Sequence, residues 1–224
     1  MAGYPVTGAC ATPTIRPVVS GPIPRLKLER EAWKAGATWV AGVDEAGAGP
    51  LAGPVTAGVV ALPGDRRFRW YRFVRDSKVL TPRAREELAE EIMASVPWAL
   101  GWADHAEIDR VNIYQARRLC MLRALEQLPV QPDVIITDAM KLPLPNVRAV
   151  VDGDALSVAV GAASIIAKVA RDAHMVEMCA RYPGYGFCRH KGYATAEHRA
   201  RLLERGPSPI HRRSFAPVAQ FPLL

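Results

Sequence analysis

Two adjacent carboxylates, Asp44 and Glu45, end an apolar run and are followed at once by Gly47, Gly49 and Gly53. Neighbouring acids repel each other and lose hydration when a fold buries them, so a site built around them calls for a cation. A divalent metal answers that need. Glycines let a backbone come close to a ligand, and the amides of such a bend can donate to phosphate or hydroxyl oxygens. Two other stretches carry matching chemistry. The run PDVIITD also ends in an acid, Asp138, and Ser164, Lys168 and Asp172 recur every fourth residue. On a helix that spacing sets a hydroxyl, an ammonium and a carboxylate along one face. Plainer readings use the same residues: a hairpin bend with solvated acids, and a Lys168–Asp172 ion pair contributing only ~0.3–0.5 kcal/mol.

The elements that must position these groups are readable from periodicity. Trp39 to Val43 reads as a strand and Pro54 to Leu62, uncharged and rich in Val, as its neighbour in a sheet covered on both faces. Side chains alternate along a strand, so Asp44 and Glu45 are expected to converge on one cation only if regular geometry stops at Glu45. Pro97–Ala103, Pro132–Asp138 and Asn146–Val151 add three strands, and Asp152–Gly153–Asp154 reads as a turn. In open α/β sheets ligands collect at strand ends, which lets Asp138 lie beside Asp44 despite the distance in sequence. Helices are expected over Arg25–Gly36, from Thr81 as N-cap through Met93, over Asn112–Leu128 behind the acids Asp104, Glu107 and Asp109, and over Leu156–Ala180. Between Arg66 and Arg75, arginines interleave with Phe68, Trp70, Tyr71 and Phe73, a pattern that suits either a nucleic-acid grip or an amphipathic surface segment.

At 224 residues the chain is long enough for one sizeable domain. A formal charge of +7 favours a polyanionic partner such as nucleic acid. The four cysteines have no CxxC spacing, so reduced thiols are expected. No apolar run reaches membrane-spanning length and no basic, then apolar, leader opens the chain, which predicts a soluble cytoplasmic protein. Residues 1–24, with five prolines, read as a disordered arm, 25–216 as the folded domain with a C-terminal helical part, and 217–224 as a flexible tail.

GVDEAGAGPLAGPV resembles the opening motif of the type 2 ribonucleases H, the ribonuclease HII family. Further matches follow in family order: DSKVLTP, EIDRVNIYQA, TDAMKLP, AASIIAKVARD and YPGYGFCRHKGY through RRSF. The resemblance runs from Ala41 to Phe215. It implies a ribonuclease H-like α/β fold, a mixed sheet with antiparallel first strands flanked by helices. It implies an endonuclease that hydrolyses the RNA strand of RNA–DNA hybrids, including the bond 5′ to a single ribonucleotide in duplex DNA. Asp44, Glu45, Asp138 and Asp172 would then be the catalytic carboxylates holding two Mg²⁺ or Mn²⁺ ions. Asp154 and Arg171, off the matching position, are set aside. Gly47, Gly49 and Tyr193 would read the ribose 2′-OH, with the Tyr193 ring against the sugar. Lys78, Asn112, Ser164, Lys168 and Lys191 would hold phosphates, although Asn112 also suits a helix N-cap.

Two departures stand out. Ala48 replaces the Arg usual between the two glycines, and Ala139 replaces the Gly usual after the third acid. Loss of a cation at position 48 keeps open a hybrid-binding protein with impaired catalysis. A type 3 ribonuclease H preferring longer RNA runs is the other alternative, but its usual N-terminal binding domain does not fit in 24 Pro-rich residues. A monomer is expected. The final Gln220–Leu224 is loosely similar to peptides that dock on a sliding clamp, while a plain tail has the same composition.

Overall fold

Strand-forming Val and Ile runs become β1 (Trp39–Ala46), β2 (Val55–Pro63), β3 (Trp98–Ala103), β4 (Val134–Asp138) and β5 (Val147–Val150) in the computed structural model, which describes Pro24 and residues 26–221. Helices α1 (Lys27–Lys34), α2 (Pro82–Ser95), α3 (His105–Glu126), α4 (Gly153–Leu156), α5 (Val158–Arg181), α6 (Phe187–His190) and α7 (Ala196–Arg205) surround them. The strands form one mixed sheet in the order β3-β2-β1-β4-β5. β1 runs antiparallel to β2 and parallel to β4, and β4 is parallel to β5. This is the mixed α/β architecture expected from the sequence, antiparallel first strands included.

Register brings the strand-end acids together. Val43 pairs with Thr137, so the chain emerges at Asp44 and Asp138 on the same edge. Asp138 in turn pairs with Val150, which delivers the segment after β5 to the same place. Asp44 lies opposite Gly58 of β2. A Cβ at Gly58 would sit 2.4 Å from the Ala163 carbonyl oxygen, so α5 lies directly on the sheet there and carries Ser164 to the edge.

Both faces of the sheet are covered, and all nine residues of β2 are buried. α5 and α2 close one face with Leu62, Leu88, Ile92, Ile165 and Ile166, while α3 closes the other with Val59, Ile108 and Met121. Each such side chain, once fully buried, stabilises the fold by ~1.5–3 kcal/mol. Trp70 and Tyr71 join the first core, and Phe68 and Phe73 pack on it, so the 66–75 segment is amphipathic and turns its aromatic side inward. Glu29 of α1 is buried as well. Its Oε1 accepts from Ser157 Oγ at 2.7 Å and from Ala159 N–H at 2.9 Å, anchoring α1 on the N-terminus of α5.

Asn112 adopts φ 68° inside α3 and its Oδ1 accepts from Gln115 N–H, so it caps the second half of the helix, the plainer of the two roles its type suggested. Two sequence expectations change. The tail is ordered as far as Phe221: Val218 is buried within a 3₁₀ turn, Val218–Gln220, and packs with Leu51 and Leu202. The last strand-to-helix turn is a short helix, α4, entered through a left-handed Asp152. The expected N-terminal arm lies outside the described residues, apart from Pro24. Among the described residues no helix is long and apolar enough to cross a membrane.

Candidate active site

At the strand ends, regular pairing continues past the two acids to Ala46, opposite Thr56. The expectation that strand geometry stops at Glu45 is therefore corrected. Alternation is kept, and Asp44 and Glu45 lean to opposite sides of β1. Ser164 of α5 lies beside Asp44 and offsets part of the rise in its pKa, and Glu45 Oε1 lies 2.7 Å from Arg117 Nε of α3. Both nevertheless line one pocket, because it wraps around the end of the strand.

That pocket encloses about 210 Å³. Asp44, Glu45, Asp138 and Asp154 face it, with the Gly47–Gly49 bend, Ser77, Lys78, Ser164, Lys168 and Tyr193 around them. The Asp138 carboxylate accepts from Gly153 N–H at 2.9 Å, a bond that seats α4 on the end of β4 and sets Asp154 beside Asp138. Burial and the charges of Glu45 and Asp138 hold the Asp44 carboxyl well above the usual range. Burial, then Asp138 and Asp76, raise Asp154 too. Groups that resist ionising together are what a cation-binding site looks like before the cation is counted.

Asp172 is the main correction. It does not line the pocket. Its carboxylate accepts from Lys168 Nζ at 2.6 Å and lies 3.6 Å from Arg85 of α2. Arg85 in turn donates to the carbonyls of Ser77 and Leu80 at 2.7 and 3.0 Å, so Asp172 steadies the DSK segment from behind. The i,i+4 spacing that joins Asp172 to Lys168 carries it one turn beyond the acids. Asn112 is exposed and lies outside the pocket. Lys191, also outside it, gives its ammonium to the Cys188 carbonyl. Asp154, set aside in the sequence, lies just after a strand that ends beside Asp138.

Two buried arginines frame the Gly-rich bend. Arg212 donates to the carbonyls of Gly53, Ala48, Gly47 and Pro54 at 2.9, 2.9, 2.6 and 3.1 Å. Arg171 donates to Pro54, Ala52 and Lys191 carbonyls at 2.9, 3.3 and 3.1 Å, tying the bend to the segment that carries Tyr193. Gly47 has φ 94°, and a Cβ there would come within 1.9 Å of Arg171 Nε, whereas Gly49 faces open space. Tyr193 is 40% exposed, its ring 5.6 Å from Lys168 Nζ and 5.7 Å from the Arg171 guanidinium carbon. The apolar face thus stays available to a ligand, held between cations.

Ala139, directly after Asp138, sits at φ 53°. A Cβ is strained there, and glycine is not. Ala139→Gly is expected to stabilise the protein by ~0.5–1 kcal/mol, with no loss of the Ala139 N–H bond to Val150. A denaturant midpoint that falls instead would show that backbone freedom outweighs the strain.

The residues fit hard divalent cations. Four carboxylates with no thiol or imidazole among them form an all-oxygen donor set. Glu45 Oε2 is buried with no hydrogen-bond partner among the described residues, an unsatisfied acceptor at the pocket wall. No three His, Cys, Asp or Glu side chains among the described residues are drawn tightly around one point. Each acid is instead held by its own neighbours: Glu45 pairs with Arg117, Asp138 accepts from Gly153 N–H and Asp44 lies beside Ser164.

A mixed sheet flanked by helices, with an acid-lined pocket at the edge where β1 and β4 end, is a ribonuclease H-like architecture. The family model "Ribonuclease HII" matches residues 41–218. The chain belongs to the ribonuclease HII family. It is similar to a "Ribonuclease HII" of Thermus thermophilus, 50% identical over 199 residues that cover 88% of this chain and 95% of that protein. It is 53% identical to the Anaeromyxobacter sp. Fw109-5 relative of the same name, with 87% of this chain matched and 62% of that longer protein spanned. Ribonuclease H2 from Pyrococcus horikoshii OT3 is similar in structure, with a TM-score of 0.70 at 29% identity over 81% of this chain and 96% of that one. Ribonuclease HII of Archaeoglobus fulgidus, solved as a complex with PCNA, gives 0.65 at 27% identity, covering 78% and 92%.

Proposed function

We propose that the protein is an endoribonuclease that hydrolyses the RNA strand of RNA–DNA hybrids, including the phosphodiester 5′ to a single ribonucleotide in duplex DNA. Products would carry 3′-OH and 5′-phosphate ends. One observation carries this reading: four carboxylates, two lysines and a half-exposed tyrosine face the same pocket. Asp44, Glu45, Asp138 and Asp154 would hold two Mg²⁺ or Mn²⁺ ions, with Asp154 in the role expected of Asp172. When bound, such ions acidify an attacking water and neutralise charge on the leaving oxygen.

The chain's own groups do the positioning. Lys78 and Lys168 hold phosphate oxygens at the pocket wall, and the Ser77 and Ser164 hydroxyls, 3.1 Å apart, offer further donors. The Gly47 to Gly49 amides approach the ribose while the Tyr193 ring packs on the sugar, so the 2′-OH is read at close range. Asn112 and Lys191 fall to the flanking duplex. Because Ala48 lacks a cation, Ala48→Arg is expected to bind a hybrid duplex roughly three- to tenfold more tightly at low salt.

Mg²⁺-dependent cutting of a duplex with one embedded ribonucleotide, scored for the 5′ junction, tests the reading. Tight binding with no cutting, in both the natural chain and Ala48→Arg, would leave a hybrid-binding protein in its place.

The C-terminal segment is proposed as a sliding-clamp contact, supported by the PCNA complex of the Archaeoglobus relative. Gln220 and Phe221 border a groove of about 600 Å³ with Leu202, Leu203 and Pro217, and the remaining three residues of the segment lie outside the described residues. Phe221 packs with Leu202 and Val218, so docking requires it to swing out. Removing Gln220–Leu224 is expected to abolish clamp binding, and unchanged affinity on a clamp-coated sensor would refute it.

A further inference from the structure

Beneath Tyr193 lie three buried histidines that the chemistry above does not use. His190 and His198 stack with ring centroids 4.3 Å apart, and His198 and His211 meet edge to edge, Nε2 to Nε2, at 3.0 Å. Phe187 packs against all three rings. An apolar cluster would fill that space without the desolvation of three imidazoles, so their hydrogen bonds have to supply the reason they are there.

Those bonds assign the protons of His211 and His198. Ser208 N–H donates to His211 Nδ1 at 2.9 Å, with the Ser208 hydroxyl 2.8 Å from the same nitrogen, which makes Nδ1 an acceptor and leaves the His211 proton on Nε2. That proton points at His198 Nε2, which must therefore accept. His198 is left with its proton on Nδ1, donated to the Tyr193 carbonyl at 2.9 Å. The chain runs one way, from Ser208 N–H through His211 and His198 to Tyr193. An added proton on His211 would oppose Ser208 N–H, and one on His198 would oppose His211 Nε2–H. The charged and titratable groups around the pair are His190, Tyr185, Glu197 and Arg213. Burial and the neighbouring His198 bring His211 down to about 3, so the wire stays neutral across the physiological range and works as a fixture.

Its end point matters. The Tyr193 carbonyl accepts from Thr195 N–H at 2.8 Å as well as from His198, while Tyr193 N–H donates to the His190 carbonyl at 2.9 Å. The peptide planes on either side of the Tyr193 Cα are thus held from below, and with them the direction of the half-exposed ring.

Resting on the reading of Tyr193 as the ribose contact, we propose that Ser208, His211 and His198 form a one-way hydrogen-bond wire that sets the Tyr193 ring over the pocket. His198 and His211 are then positioning residues for ribonucleotide recognition.

Affinity for a duplex with one ribonucleotide, divided by affinity for the same all-DNA duplex and measured in EDTA so that nothing is cut, reports the preference. His211→Ala and His198→Phe are each expected to lower it roughly five- to tenfold, the worth of one lost hydrogen bond, with all-DNA affinity unchanged. His211→Gln, whose amide can accept from Ser208 and donate to His198, restores it. ¹⁵N spectra of the natural chain should show the proton on Nε2 of His211 and Nδ1 of His198. Tyr193→Ala should remove the preference and make His211→Ala silent. If Tyr193→Ala loses the preference while the folded His211→Ala and His198→Phe proteins keep it, the wire is wrong and the ribose reading stands. If Tyr193→Ala keeps the preference, both fall. The opposite tautomers in the natural chain overturn the wire even where a variant fails to fold.

Discussion

Asp154→Asn is expected to lower kcat/KM for a ribonucleotide-containing duplex by about a thousandfold, whereas Asp172→Asn stays within about tenfold. The contrast follows from what each carboxylate faces. Asp154 shares the pocket with Asp44, Glu45 and Asp138, and its charge is opposed by those of Asp138 and Asp76. Removing that charge weakens cation binding at the place where negative charge develops on the phosphate, an effect of several kcal/mol. Asp172 has Lys168 and Arg85 as partners and lies outside the pocket. Its loss frees Lys168 and loosens Arg85 from one anchor, an indirect effect of the size of a partly exposed ion pair. Single-turnover cleavage over a Mg²⁺ titration, with far-ultraviolet circular dichroism as the folding check, separates the two. Near-normal cutting by Asp154→Asn beside an inactive, folded Asp172→Asn would return the fourth place to Asp172.

Arg212→Ala is expected to destabilise the protein by ~3–5 kcal/mol and to remove most activity with it. Arg212 is fully buried, and its guanidinium donates to four carbonyls of the 47–54 bend. Deleting it strands those carbonyls away from water, at ~1–3 kcal/mol for each one left unsatisfied, offset in part by the desolvation no longer incurred. For a domain of this size each kcal/mol lowers Tm by ~2–4 °C, so calorimetry has a large signal to read. Arg212→Lys keeps the charge and loses the fork. It is expected to retain the fold and lose activity roughly tenfold, because one ammonium with three donors cannot satisfy four spread carbonyls. Unfolding curves that coincide for Arg212→Ala and the natural chain would contradict this account of the bend.

Much of the scaffold was legible because it depends on local pattern. The Val and Ile runs ending at Asp44 and Asp138 announced two strands with acids at their ends, and the sheet sets those ends side by side. Thr81 was readable as an N-cap from its type and the Pro that follows, and it accepts from Ala84 N–H. Asp154 was not legible in the same way. Its place depends on β5 pairing next to β4 and on Gly153 donating to Asp138, facts of tertiary register that no local pattern carries. Glu45 illustrates a narrower error: alternation was read as an obstacle to a shared site, when a pocket wrapped around a strand end accepts side chains from both faces. Arg171 and Arg212 escaped because arginine reads as a surface residue until a set of inward-facing carbonyls gives it partners.

Since Asp44 rests against α5 and Glu45 against α3, the two acids depend on opposite halves of the hydrophobic interior. Loosening of either helix layer is expected to displace one of the two side chains while the other keeps its place. The pocket is therefore complete only while the packing on both faces of the sheet holds.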